Sequence, residues 1–370
     1  MTPNAPLPEP TFAKVFSPTA LLKAFEQCRK HKSNKPDVIR FELELGQNIA
    51  KLAHELGYGA YRFGKYKTFN VFEPKKREIQ CLPFRDRVVL MALCKNVIEP
   101  TLETRLLPCN TACRKGKGVH YAIRYLDGIL KRHFAHHGTD GYILKCDISK
   151  FFASINHDVL WGLVNRFDID PQIMRLIRST IYENGMVGAG LPIGNQTSQW
   201  WALLALHPVD VLARDMGIPY VRYMDDFVLV HPCKATLLTA LDQIKELLAK
   251  LGLKLNDKTQ IMPIRQGVDF LGFRHRVDAH GLVDRPLRAQ SQTRLRQNIR
   301  ELAHLFKTQK VGAPFVETRM CCYLAHMLHS RPATMYFKRT ISKSPNRDIL
   351  RKIIANTKIK LLRETLGQNI

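Results

Sequence analysis

Tyr223-Met224-Asp225-Asp226, set between the apolar runs Pro219-Tyr220-Val221-Arg222 and Phe227-Val228-Leu229-Val230, constrains this chain more than any other segment. Two short β-prone runs joined in this way read as a hairpin. Two adjacent carboxylates at its tip repel each other and help neither strand to pair. An isolated Asp-Asp pair would be an ordinary solvated turn. This pair is not isolated, because a second apolar strand, Gly141-Tyr142-Ile143-Leu144-Lys145-Cys146, ends in Asp147. If the two strands share a sheet, Asp147, Asp225 and Asp226 can converge, and a divalent cation would resolve their repulsion.

Carboxylates that share two Mg²⁺ ions about 3.5–4 Å apart can activate a 3′-hydroxyl and stabilise a leaving pyrophosphate, with Mn²⁺ as the substitute ion. That is the chemistry of nucleotide polymerisation. The charge agrees: 57 Lys+Arg against 32 Asp+Glu give a formal +25 over 370 residues, which suits a polyanionic partner. A membrane surface is the competing partner for so basic a chain. The Pro-rich start, Met1 to Pro10, has no apolar signal core, and the most apolar stretch, Trp200 to Leu206, is broken by His207, Pro208 and Asp210. The expectation is a soluble, cytoplasmic protein with no membrane partner. Nine cysteines without a CxxC pair read as reduced thiols. Cys109, Cys113 and His120 lack a convincing fourth ligand for zinc.

Five segments in order, from about Lys67 to about Phe273, resemble the reverse transcriptases. Asp147 with Phe152 is similar to the first palm motif, Gly190-Leu191-Pro192-Ile193-Gly194-Asn195-Gln196-Thr197-Ser198-Gln199 to the second, and Tyr223 to Asp226 to the third. Leu253 to Gln260 resembles the motif that follows, and Phe270-Leu271-Gly272-Phe273 the primer-grip hairpin. The resemblance implies an α+β, right-hand polymerase fold: fingers, a palm of antiparallel sheet plus helices, and a helical thumb. It divides the chain into a disordered tail (1–11), an N-terminal helical extension (12–60), fingers and palm (61–275), and a basic helical thumb with a C-terminal tail (276–370). The implied partners are template RNA, primer and product DNA, and dNTPs.

The resemblance also assigns roles. Asp147, Asp225 and Asp226 become the catalytic, metal-binding carboxylates. Arg77 matches the triphosphate-binding arginine, and a guanidinium grips phosphate oxygens bidentately; Lys75 is a candidate for the same task. Phe152 stands at the steric gate against a 2′-hydroxyl, so dNTPs are the expected substrates. Ile193 and Gln199 belong to the nucleotide-binding second motif. Lys258 is the candidate to neutralise or protonate pyrophosphate. Arg114, Lys115 and Lys117, punctuated by Gly116 and Gly118, resemble a template-contacting loop in which backbone N–H groups approach phosphate. Gly272 permits close approach of the primer backbone.

Local patterning fills in the elements. Ser17 caps a helix that follows Pro18, and a second helix is expected from about Asp37 to Leu56, closed by Gly57. Tyr66 to Leu82 reads as a hairpin turned at Glu73 to Lys76, and Phe84 opens a helix. Leu160, Leu163, Val164 and Phe167 mark a palm helix, and Leu295, Ile299, Leu302 and Leu305 the apolar face of a basic thumb helix. The tail from Phe337 to Lys360 is expected to be helical and to hold duplex or structured RNA.

Two departures bear on biological role. Many relatives have Pro-Gln-Gly where this chain has Pro192-Ile193-Gly194, and a branched apolar side chain cannot make an amide's polar contacts. That form resembles the enzymes of diversity-generating retroelements, which make adenine-mutagenised cDNA, and certain bacterial defence-associated enzymes. Ser198-Gln199-Trp200-Trp201-Ala202-Leu203 lacks the Ala-Asn that retroelement enzymes place there. The expectation is therefore a stand-alone bacterial enzyme working on a dedicated, structured non-coding RNA in anti-phage defence, with an accessory protein or second reverse transcriptase as partner. The retroelement enzyme is the alternative. A catalytically inactive RNA-binding protein on a polymerase scaffold is the alternative of another class, and it would have no use for three like charges without their metal.

Overall fold

The computed structural model describes residues 11–72 and 76–330. Their strands are β1 (Lys67–Val71), β2 (Arg77–Cys81), β3 (Tyr142–Cys146), β4 (Tyr220–Tyr223), β5 (Asp226–His231), β6 (Gln260–Pro263), β7 (Val268–Phe270), β8 (Phe273–Val277) and β9 (Val283–Asp284). They form a two-stranded sheet β1-β2, a four-stranded sheet in the order β4-β5-β3-β6, and a three-stranded sheet β7-β8-β9. With helices through the rest of the described residues, the architecture is α+β, as expected. The chain divides into two compact units that interleave in sequence. One is drawn from residues up to Gly118, Cys146–Leu229 and Leu238–Gln260; the other takes Val119–Lys145, Val230–Leu237 and the residues from Ile261.

In the first unit a short helix, Phe12–Val15, precedes helix Pro18–Arg29, whose N-terminus is closed by Ser17 Oγ accepting from the Ala20 amide at 3.3 Å. The helix expected over 37–56 is two helices, Pro36–Leu43 and Leu45–Gly57. The break is at Glu44, whose φ of −118° and ψ of 39° leave the helical basin. Phe25, Phe41 and Phe84 interlock, with centroids 5.3–6.0 Å apart. Helix Phe84–Leu93 carries the buried Asp86, which accepts from Tyr61 Oη at 2.7 Å and from the Gly64 amide at 2.9 Å. A buried carboxylate without such donors would cost far more than an unpaired neutral polar group, so these bonds fix how residues 61–64 enter β1.

β1 and β2 pair in antiparallel register from Lys67 opposite Cys81 to Val71 opposite Arg77, as the hairpin expectation required. All five β1 residues are exposed. The palm helix is shorter than its periodicity suggested: it spans His157–Val164, burying Leu160 and Val164, and Phe167 lies beyond its end. Helix Gln196–Ala205 buries eight of its ten residues, Trp200 and Trp201 among them, so its sequence shows no amphipathic period. The indole N–H of Trp201 donates to Thr180 Oγ1 at 3.1 Å.

In the second unit, helix Val119–His137 precedes the β7-β8-β9 sheet and helices Ala289–Lys307 and Ala313–Leu328. Helix Ala289–Lys307 buries Leu295, Ile299, Leu302 and Ala303; Leu305, expected on that face, is half-buried. Asp127 holds the unit together, meeting His275 Nδ1 at 2.9 Å and the Arg285 guanidinium. Arg285 Nε donates onward to the His329 carbonyl at 2.7 Å. All nine cysteines are free. Among the described residues no helix is long and apolar enough to cross a membrane.

Candidate active site

β4 and β5 pair in antiparallel register with Tyr223 opposite Asp226, leaving Met224 and Asp225 as a two-residue turn. Such tight hairpins need positive φ in the turn, and Met224 supplies it at 57°. Phe227, Val228, Leu229 and Val230 are essentially fully buried, each contributing about 1.5–3 kcal/mol. That apolar anchor holds Asp225 and Asp226 at the half-buried tip of the hairpin.

Asp147, the residue after β3, is also half-buried and belongs to the same unit as Asp225 and Asp226. Its carbonyl accepts from the Asn256 amide at 2.8 Å, and the Ser149 amide donates to the Lys254 carbonyl at 2.9 Å. The expected fourth motif is thereby tied to the first through the backbone. Asn256 Oδ1 in turn accepts from the Lys258 amide at 3.1 Å, and the Lys258 side chain is exposed. The donor chemistry fits a hard divalent cation, since the three motif side chains are all carboxylates. Among the described residues, no three His, Cys, Asp or Glu side chains are gathered as the ligand set of one ion.

Phe151 and Phe152 divide between core and surface. Lys150, with φ of 46°, turns the chain into the short helix Phe151–Ser154. Phe151 is 2% exposed, whereas Phe152 is only half-buried, so Phe152 has the ring that a ligand can reach. Its carbonyl accepts from the Leu191 amide at 2.8 Å, which joins the first motif to the second.

The second motif is stitched to the β1-β2 hairpin. The Gln80 amide donates to the Ile193 carbonyl at 3.0 Å. Gly194 lies at φ 136°, and a Cβ there would stand 2.6 Å from the Gln80 carbonyl oxygen. Asn195 Nδ2 donates to Tyr66 Oη at 2.7 Å; burial, against that amide bond, pushes the Tyr66 phenol up to about 12. Ile193 and Gln199 are half-buried, and Gln199 Oε1 accepts from Cys113 Sγ at 3.4 Å. Tyr66, Asn195 and Asn256 were not legible as site residues, because their partners lie 129 and 109 residues away in sequence for the two asparagines.

The phosphate-binding candidates separate by environment. Arg77 is exposed on β2, opposite Val71; Lys75 lies outside the described residues. Arg114 is buried, forking onto Glu103 at 2.7 and 2.8 Å and donating to the Leu107 and Asn110 carbonyls. Its guanidinium is occupied in shaping the loop, so the accessible charge there belongs to Lys115, which is exposed, and Lys117, which is half-buried. Burial, with Arg114 beside it, lowers the Lys117 ammonium. Gly116 and Gly118 take φ of 71° and 155°. In the second unit, Leu271 and Gly272, at φ 49° and 93°, form the two-residue turn of the β7-β8 hairpin, with Phe270 opposite Phe273.

Residues 70–275, more than half of the 370, match the family described as Reverse transcriptase (RNA-dependent DNA polymerase). The chain is similar to Protein YkfC of Escherichia coli (strain K12), 26% identical over 243 residues that cover 54% of this chain and 63% of that protein. It is also similar to a chain in the solved structure of telomerase from Candida albicans in complex with the TWJ fragment of telomeric RNA. There the identity is 14% and the TM-score 0.45, over 80% of this chain and 62% of that one. The chain thus spans less than two thirds of either relative's length.

Proposed function

The chain belongs to the reverse transcriptase family, and on that footing we propose that it is an RNA-templated DNA polymerase of right-hand form, with fingers and palm over 61–275 and a thumb from 276. The observation that carries this reading is the Tyr223–Asp226 hairpin: buried strands present two carboxylates at a half-exposed turn, in the same compact unit as Asp147. Bound by Asp147, Asp225 and Asp226, Mg²⁺ or Mn²⁺ would supply Lewis acidity to a primer 3′-hydroxyl and to pyrophosphate oxygens. The chain's own residues do the rest. Arg77, with Lys75, grips the triphosphate; Ile193 and Gln199 border the nucleotide. Phe152 stacks under the sugar and excludes a 2′-hydroxyl. Lys258 protonates the leaving pyrophosphate or neutralises its charge. Lys115 and Lys117, on a loop shaped by Arg114, hold template phosphates, and Gly272 admits the primer backbone.

For biological role we favour a stand-alone bacterial enzyme of the cytoplasm that copies a dedicated structured RNA in anti-phage defence, with an accessory protein or second reverse transcriptase. What supports it over the retroelement reading is Ala202-Leu203 where those enzymes have Ala-Asn. Leu203 is wholly buried, so the departure belongs to the core of that unit. The apolar Ile193 is compatible with both readings.

The deciding experiment sequences RNA and DNA that co-purify with the native protein and with Asp225→Asn/Asp226→Asn, alongside primer extension in vitro. Complementary DNA present only with the parent, beside one enriched RNA, is the expected result; adenine-biased substitutions in it would select the retroelement reading. Equal RNA on both proteins, with no DNA and no extension by either, would leave the inactive RNA-binding scaffold.

A further inference from the structure

Arg222 lies in β4, two residues before Met224, and its side chain is wholly buried. Its guanidinium makes four bonds. Nε donates to Asp210 Oδ1 at 2.7 Å and Nη2 to Asp210 Oδ2 at 2.6 Å, a bidentate fork. Nη2 also donates to the Leu203 carbonyl, and Nη1 to the Met224 carbonyl, each at 3.0 Å. The backbone is pinned as firmly. The Arg222 amide donates to the Cys109 carbonyl at 2.9 Å, and the Arg222 carbonyl accepts from the Thr111 amide and Oγ1 at 2.9 and 2.7 Å.

Three elements meet at this one cation. Leu203 lies in helix Gln196–Ala205, which carries Gln199; Asp210 lies in helix His207–Asp215; Met224 is the turn residue held at φ 57°. Asp210 is wholly buried too. Burial opposes its ionisation, but the Arg222 charge outweighs that and holds its carboxyl below the ordinary range, so the pair is ionic at neutral pH. A buried ion pair is seldom needed for stability, because well-packed apolar side chains serve the core as well. What apolar side chains cannot supply is a rigid planar fork that donates in several fixed directions. Here one of those directions is the peptide joining Met224 to Asp225.

We propose that Arg222 is a positioning residue for the catalytic turn: anchored on Asp210, it clamps the Met224 carbonyl, holds the left-handed conformation of Met224, and so sets the direction in which Asp225 is presented. The inference rests on the reading of that turn as the polymerase centre. The clamp also makes helix Gln196–Ala205 and the turn one mechanical piece, so that a shift of the second motif is passed to Asp225 through a single guanidinium.

The test uses the full chain and the double variant Asp210→Val/Arg222→Met, which removes both charges together and leaves no buried ion unpaired. Arg222→Lys serves as the second variant, keeping the charge opposite Asp210 but losing the fork. Four quantities are read: melting temperature, primer–template affinity by fluorescence anisotropy without metal or nucleotide, the kcat and KM of single-nucleotide incorporation, and hydrogen exchange across residues 219–231. The expected double variant melts near the parent and binds primer–template within about twofold of it. Its kcat falls about 10–100-fold, as for a small misplacement of a reacting group, with little change in KM. Exchange rises at the turn amides alone, and Arg222→Lys falls between the two proteins. Unchanged kcat and unchanged turn exchange in a folded double variant would overturn the proposal, as would exchange rising evenly through the sheet, which marks a merely structural pair. If the double variant does not fold, Arg222→Lys decides by the same readings. If the parent itself extends no primer, the functional reading fails, and turn exchange still decides the clamp.

Discussion

Replacing Gly194 by alanine tests how the second motif is held against the β1-β2 hairpin. The backbone there lies at φ 136°, and the new Cβ would stand 2.6 Å from the Gln80 carbonyl oxygen and 3.1 Å from Ile79 Cγ2. A non-glycine residue in so sparsely populated a region costs about 1–3 kcal/mol. The close oxygen belongs to backbone, so the clash is relieved only by moving β2 away. That movement breaks the 3.0 Å bond from the Gln80 amide to the Ile193 carbonyl, worth about 1 kcal/mol more. The expected loss is therefore about 2–4 kcal/mol, concentrated where Ile193 and the hairpin meet. Gly162→Ala is the matched control, since it lies in helix His157–Val164 with nothing within 4 Å of its added Cβ; it should stabilise by about 0.5–1 kcal/mol. Thermal melting of the two variants, with steady-state incorporation assayed at a temperature where both are folded, should show Gly194→Ala melting lower and its KM for dNTP raised more than its kcat is lowered. A Gly194→Ala protein that melts with the parent and keeps its KM would refute the reasoning, because the strained glycine and the stitch would then carry no load.

Three further outcomes follow from the same geometry. Phe152→Val should weaken discrimination against ribonucleotides by at least about tenfold, read as the ratio of kcat/KM for dNTP and rNTP, whereas Phe151→Val, at a buried ring, should lower the melting temperature and leave that ratio in place. Ile193→Gln should lower misincorporation, by up to about tenfold; an unchanged error spectrum in sequenced products would dissociate the apolar second motif from fidelity. Burial, opposed by the Asp127 bond and assisted by Arg285, holds the His275 imidazole below its ordinary 6.5. The unfolded chain then takes up that proton first, so this contribution is complete above 6.5 and is lost as pH falls below it, by at most about 1.4 kcal/mol per pH unit. His120 and His133, lowered chiefly by burial, act with the same sign. Melting temperature should fall from pH 7.5 to 5.5, and His275→Gln should flatten the fall; an equally steep profile in the variant would reject the assignment.

What the sequence makes legible is what residue type announces. Paired aspartates between apolar runs, a glycine at a hairpin tip and a basic glycine-punctuated loop each carry their chemistry in their composition, and Tyr223–Asp226, Phe270–Phe273 and Gly116–Gly118 take the conformations expected of them. Helix limits are less legible. Nothing in the text at Glu44 signals a break, and Phe167 continues a helical period after the helix has ended. Arg114 shows a deeper limit. Its type says phosphate, but carbonyls of its own folded loop and Glu103 claim its donors, and such competition exists only once the loop has closed. Asp210 and Arg222 are silent for a related reason: twelve residues apart, on a helix and a strand, they read as a surface acid and a strand-end base. The tail from Phe337 to Lys360, expected to be helical, lies outside the described residues.

Strain ties these observations together. Among the described residues six non-glycines take positive φ: His31, Cys113, Lys150, Met224, Leu271 and Gln309. Cys113 opens the basic loop, Lys150 precedes the expected steric gate, Met224 carries the paired aspartates, and Leu271 turns the β7-β8 hairpin. Each such residue costs about 1–2 kcal/mol that glycine would spare. Strained turns persist only where surrounding structure over-determines them, and two of the supports are visible. Met224 is held by the Arg222 clamp on its carbonyl, and Cys113 sits beside Arg114, whose fork on Glu103 closes the loop. Substituting glycine at Met224 keeps the carbonyl that Arg222 holds and removes the left-handed strain, so it should stabilise the protein by about 1–2 kcal/mol, read by thermal melting. Pre-organisation of Asp225 in this chain is therefore a property of the buried cation beneath the turn as much as of the turn's own residues.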